Sequence, residues 1–156
     1  MNKTRNRRAA GFTLLEVMLV MLILTMLVGV GIFGYTKSQA KAEKQSTRIL
    51  VKEVENAVRN YRRVVRHFPD DDEGLNLLIS PPADETQAEL WASEGPFVTG
   101  GKMPKDTWGN DLIYKALDED EANTTGVFFR VYSPGPNGED DSGTGDDIPA
   151  WAEDTD

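Results

Sequence analysis

Apolar residues run almost without a break from Val17 to Phe33, and the segments flanking this run differ sharply. Ahead of it stand a basic leader and the block Gly11-Phe12-Thr13-Leu14-Leu15-Glu16; behind it, from Lys37 to Gln45, the chain is polar and rich in Ala, Lys and Glu. A helix over residues 12–35 would be roughly 35 Å long at about 1.5 Å per residue, enough to cross a hydrocarbon core of about 30 Å. The polar stretch contains good helix formers and no breaker, so it extends the helix instead of ending it. Further on, Leu50, Val54, Ala57, Val58, Tyr61, Val64, Val65 and Phe68 recur at helical spacing between charged residues. The pattern predicts one helix from about Thr13 to about Arg66, its second half carrying an apolar stripe for a small sheet.

Pro69 ends that helix, and Asp70, Asp71 and Asp72 offer a cap and first-turn acids for a short helix over 73–79. Ser80-Pro81-Pro82 stops it. Residues 83–93 are expected to hold another helical turn carrying Leu90 and Trp91 into the core, followed by a Gly- and Pro-rich loop through Pro104. Alternation then predicts strands over 111–117 and 126–133, joined as a hairpin through a turn at Asn123-Thr124-Thr125-Gly126. The expected fold class is α+β, a long N-terminal helix packed on a small antiparallel sheet.

Charge and composition narrow the setting. The leader carries Lys3, Arg5, Arg7 and Arg8 and no acid, which holds it on the cytoplasmic side of a membrane. An ordinary secretory signal has its cleavage site after the apolar run, whereas here the small residue, Gly11, precedes it. The formal charge is −9, and loss of the four leader cations would make it −13, which disfavours nucleic acid or anionic lipid as a ligand of the soluble part. With no cysteine, there is neither a disulfide nor a thiolate metal site, so a modest exported domain must draw stability from a hard cation or from neighbouring subunits.

Glu16 is the sharpest single residue. A carboxylate near the end of a spanning helix is expensive unless it is paired or functional. A plain signal anchor offers it no partner in its own first turn. If cleavage follows Gly11, the new amino group of Phe12 on a neighbouring chain is a cation that can pair with Glu16, setting register during assembly more than adding stability.

The block Gly11-Phe12-Thr13-Leu14-Leu15-Glu16 followed by an apolar helix resembles the processing signal of type IV pilins and pseudopilins. That resemblance implies cleavage after Gly11 by prepilin peptidase, methylation of Phe12, and Glu16 as the assembly residue. It also implies a leader over 1–11, a transmembrane and assembly helix over 12–35, and a periplasmic domain over 36–156. Phe68-Pro69-Asp70, Glu73-Gly74-Leu75, Asp106-Thr107-Trp108-Gly109-Asn110 and Val131-Tyr132-Ser133-Pro134-Gly135-Pro136-Asn137-Gly138 through Asp146-Asp147-Ile148 narrow the resemblance to the major pseudopilins of type II secretion.

The loop after Ser133 crowds oxygen donors around four glycines, which suits a hard cation such as calcium, although composition alone favours a merely solvated acidic loop over a site. The spacing is not that of an EF-hand. The resemblance implies calcium held by the carbonyl near Pro134 with Asn137, Glu139, Asp146 and Asp147, with Asp140 or Asp141 compensating for Asn137 where the family usually has aspartate. No catalytic constellation is present. His67 sits among arginines at a helix end, and Ser133 and Ser142 have no matching histidine.

The function this implies is that of the major structural subunit of a short helical pseudopilus that promotes export of folded proteins across the outer membrane. The subunit would sit in the inner membrane as a single-pass protein and self-assemble into a homo-oligomeric filament with minor pseudopilins and an inner-membrane assembly platform. The alternatives are a type IV pilin, a competence pseudopilin, and a membrane-anchored calcium-binding module that never polymerises.

Overall fold

The computed structural model describes residues 11–151, without the side chains of residues 28–37 and Glu119; the expected leader falls outside this range, apart from Gly11. Helix α1 is Leu14–Val65, and the chain divides into compact units at Lys41 and Ala42.

In the first unit, Thr13 opens α1. Its carbonyl and hydroxyl oxygens both accept from Glu16 N, at 3.1 and 3.2 Å, satisfying a donor that the helix start would leave unpaired. Glu16 lies in the first turn, where an acid complements the helix dipole. Every residue from Gly11 to Leu27 is exposed. Among the described residues no helix is long and apolar enough to cross a membrane, the expected span running into residues 28–37.

The second unit is built on the stripe Val51, Val54, Ala57, Val58, Tyr61 and Val65, buried against Leu75, Leu77, Leu78, Phe129 and Val131. Burial of each of the Val, Leu and Phe side chains contributes about 1.5–3 kcal/mol. A 3-10 helix, Gly74–Leu78, supplies the leucines. It takes the place of the helix expected over 73–79, and the aspartates before it do not cap it, since its first residue has no side-chain cap. Asp71 instead accepts from Ala116 N at 2.6 Å, and Asp70 meets His67 at 3.3 Å. A strand edge 45 residues away outcompeted the local cap.

Helix α2, Glu85–Glu94, is capped by Asp84, whose side chain accepts from Gln87 N at 2.9 Å. Trp91 packs against the core and donates Nε1–H to Leu77 O at 2.7 Å. Leu90, expected beside it, is exposed.

Strands β1, Ile113–Ala116, and β2, Phe129–Ser133, pair antiparallel with Ile113 opposite Tyr132 and Ala116 opposite Phe129. They are not a tight hairpin. A short helix α3, Glu119–Thr125, fills the connection, capped by Asp118 at its start and by Gly126 at φ +72 at its end. The expected turn at 123–126 is the end of that helix, because Asp118 accepts from Glu121 N and so closes a first turn that strand alternation does not reveal. A third strand, β3, Ile148–Pro149, pairs with Tyr132 and Ser133, giving the sheet order β1-β2-β3. The loop between β2 and β3 therefore starts and ends on adjacent strands.

Candidate functional site

The residues expected to carry processing and assembly lie at the start of α1. Gly11 is exposed and a Cβ there would meet nothing within 4 Å. Phe12 is 83% exposed. Glu16 is exposed and has no ion-pair partner among the described residues.

The second group lies between β2 and β3. Asn137 grips Asp146, its Nδ2 donating to Asp146 Oδ1 at 2.6 Å and its backbone N–H to Asp146 Oδ2 at 3.2 Å. Asn137 Oδ1 accepts from Glu139 N at 2.7 Å. Asp147 is buried, and its Oδ2 accepts from Gly143 N at 2.7 Å, while its buried Oδ1 has no hydrogen-bond partner among the described residues. Burial first, and then the carboxylates of Asp141 and Asp140, push the Asp147 carboxyl above its ordinary range; the Gly143 and Asp141 amides pull the other way. Asp140 is turned to the sheet. Lys115 Nζ lies 2.9 Å from its Oδ2, and Tyr132 Oη and Ser142 N donate to its Oδ1 at 2.8 and 2.9 Å. The lysine, then the tyrosine, then the Ser142 amide pull the Asp140 carboxyl down to about 2. Among the described residues no three acidic side chains gather closely enough to hold a metal alone, so any ion here would also need main-chain oxygens.

What pins this loop is a residue block read from sequence only as a landmark. Asp106, buried, accepts four hydrogen bonds: Oδ1 from Trp108 N at 3.0 Å and Asn110 N at 2.7 Å, Oδ2 from Ser133 Oγ at 2.7 Å and Asn110 Nδ2 at 3.2 Å. Asn110 Nδ2 also donates to Gly135 O at 2.8 Å, and Gly135 N donates to Ser133 Oγ at 3.1 Å. Next to it, the Thr107 hydroxyl sits 2.8 Å from that of buried Thr47 on α1. The Asp106-Thr107 pair, with Asn110, thus ties α1, the end of β2 and the acidic loop together. The turn-forming spacing of Asp106, Gly109 and Asn110 was the available signal; the link to Ser133 was not, being 27 residues away.

A family model described as Type II secretion system (T2SS), protein G, matches residues 34–151. The chain belongs to this family. A model for the prokaryotic N-terminal methylation motif matches residues 6–32 of the pseudopilin, across Gly11, Phe12 and Glu16. Type II secretion system core protein G of Escherichia coli strain K12 is 33% identical over 141 residues, covering 90% of each chain. Its namesake from Vibrio cholerae serotype O1 is 33% identical over 145 residues, covering 93% of each. The crystal structure of the major pseudopilin from the type 2 secretion system of enterohaemorrhagic Escherichia coli shares the fold, with a TM-score of 0.58 at 24% identity over 74% of this chain and 92% of that one. The family consists of structural secretion-system pseudopilins, and the long helix packed on a small antiparallel sheet is their fold.

Proposed function

We infer that this pseudopilin is the major, filament-forming subunit of a type II secretion pseudopilus, anchored in the inner membrane before assembly with its folded domain in the periplasm. Prepilin peptidase would cut after Gly11 and methylate Phe12, and an inner-membrane platform would then add subunits to a filament that also contains minor pseudopilins and drives folded proteins outward. The observation that carries this reading is the wholly exposed apolar surface from Gly11 to Leu27, interrupted by one acid, Glu16. A surface of that kind needs lipid or other helices around it. In lipid Glu16 is a liability, whereas beside the amino group of Phe12 on a neighbouring copy it becomes a register mark.

Glu16→Ala is expected to leave cleavage and methylation intact, as read by mass spectrometry of the mature N-terminus, while filament yield falls by about tenfold or more. Filaments at wild-type yield from that variant would remove the role given to Glu16. An intact leader in the wild-type chain would instead favour a static anchor.

The acidic loop fits calcium. An aspartate oxygen that is buried, unpartnered and beside other carboxylates is costly without a cation, and Asp147 Oδ1 is such an atom. Asp146 and Asp147, with main-chain carbonyls near Pro134 and the residues before Asp146, would hold the ion, joined by Asp141, whose charge acts on Asp147 more strongly than that of Asp140. Asn137 would act chiefly as the clasp that orients Asp146, and Asp140 would bind the loop to Lys115 and Tyr132. Calcium at about 100 times its dissociation constant would add about 2.7 kcal/mol to the folded state. Thermal melts of the full-length protein with calcium and with chelator should therefore differ by several degrees, and Asp147→Asn should abolish the difference. Superimposable wild-type melts would take the ion out of this account.

A further inference from the structure

A groove of about 540 Å³ opens between the last turns of α1 and the segment leading into β2, lined by both arginines and aromatic rings. Its most exposed apolar residues are Val127 and Phe128, each 43% exposed, and Trp151 at 48%. Three guanidinium groups stand over rings in it. Arg59 lies over Phe129 at 5.5 Å and pairs with Glu55. Arg130 lies over Trp151 at 5.5 Å and pairs with Glu121 at 3.0 Å. Arg62 is different. Its guanidinium is 4.5 Å from the centre of the Phe68 ring and 5.3 Å from that of Phe128, two rings stacked 5.4 Å apart, yet it has no carboxylate partner among the described residues. Stacking fixes the plane of the fork, so little freedom remains to be lost when it binds a carboxylate.

Charge indicates what the groove receives. All 26 acids of the chain except Glu16 lie beyond Lys41, against 11 of its 17 lysines and arginines. Copies of so acidic a domain repel one another at filament density unless the acidic surface of one meets cations on the next. We propose that the Arg62–Phe68–Phe128 groove is a subunit-to-subunit contact that receives an acidic segment of a second copy of this chain, Arg62 binding its carboxylate and Phe128 covering its apolar stem. This rests on the filament reading above.

The test uses the full-length chain in the secreting bacterium. A photo-crosslinking phenylalanine analogue at position 128 is expected to join two copies, with an acidic peptide of the second copy at the crosslink. Arg62→Glu is expected to lower filament yield by about tenfold or more, and Arg62→Lys, which keeps the charge but not the stacked fork, by less. Because Arg62 is exposed, Arg62→Glu should still fold, melting only slightly below wild type for the loss of its contacts with the two rings; should it misfold, the crosslink decides alone. Wild-type filament yield from a folded Arg62→Glu variant, or crosslinks from position 128 only to a different protein, would overturn the proposal. Absence of filaments from the wild-type chain would overturn the pseudopilus reading itself.

Discussion

Replacing Asp106 by alanine is expected to lower the unfolding free energy by about 3 kcal/mol, read as an earlier urea midpoint at unchanged slope. The carboxylate is 6% exposed and accepts two backbone N–H groups and two side-chain donors. Each hydrogen bond to a charged acceptor is worth about 1.5–3 kcal/mol, and stranding a buried donor costs about 1–3 kcal/mol more. These terms do not add fully, because water enters where a side chain is removed and the 105–111 turn can relax. Asp106→Asn keeps one acceptor oxygen but turns an amide N–H₂ toward groups that are themselves donors, so it should recover less than half of the loss. The damage should spread to the acidic loop, since the same network holds Asn110 on Gly135 O. A calcium-dependent shift in melting should therefore shrink in Asp106→Ala even though residue 106 does not touch the loop acids. An Asp106→Ala protein with the wild-type midpoint would show that the block is a surface turn with no structural role.

Gly135→Ala is expected to be about as damaging, by a different route. Gly135 sits at φ +68, and a Cβ there would lie 2.3 Å from the main-chain oxygen of Asp146 and 2.9 Å from its carbonyl carbon. The left-handed conformation alone costs a non-glycine residue roughly 1–2 kcal/mol. The overlap adds to that, and because it is with backbone, no rotamer change relieves it. Gly126 provides the control. It sits at φ +72 with nothing within 4 Å of a built Cβ, so Gly126→Ala should show the conformational cost alone, about 1 kcal/mol. The difference between the two urea midpoints measures the Gly135–Asp146 contact. Gly135→Ala should also lose any calcium-dependent stabilisation, which Gly126→Ala should keep. Equal midpoints for the two variants would mean that the two ends of the loop are not held together.

The elements legible in the sequence were those written by a single period over a long stretch. The extent of α1 follows from the 3.6-residue stripe and from Pro69, and the expected boundaries of about Thr13 and about Arg66 lie one residue outside those found. Two of the three strands were found by alternation, with starts two and three residues too early, and the two-residue β3 was not found because two residues carry no period. Phe128 stacks its ring on Phe68, while its carbonyl still accepts from Leu117 N at 3.0 Å just past the end of the paired strands. The errors fall where a side chain had two partners to choose between. Asp70, Asp71 and Asp72 resemble a helix cap, and residues 123–126 resemble a hairpin turn; yet Asp71 takes the Ala116 amide, and Asp118 caps a helix that ends at Thr125.

The N-terminal methylation motif, the apolar first half of α1, the acidic character of the folded domain and its α+β class were determined by the sequence alone, because each is a property of order or composition along a continuous segment. Tertiary structure alone decided which polar atoms are shared across long gaps: Asp106 with Ser133, Thr47 with Thr107, Asn137 with Asp146, and Asp147 Oδ1 with no hydrogen-bond partner among the described residues. A carboxylate's partner depends on which donors the folded backbone brings within about 3 Å. That distance is fixed by strand pairing and helix packing, so the same acids that composition reads as one charged loop become a clasp, a sheet anchor and a buried carboxylate.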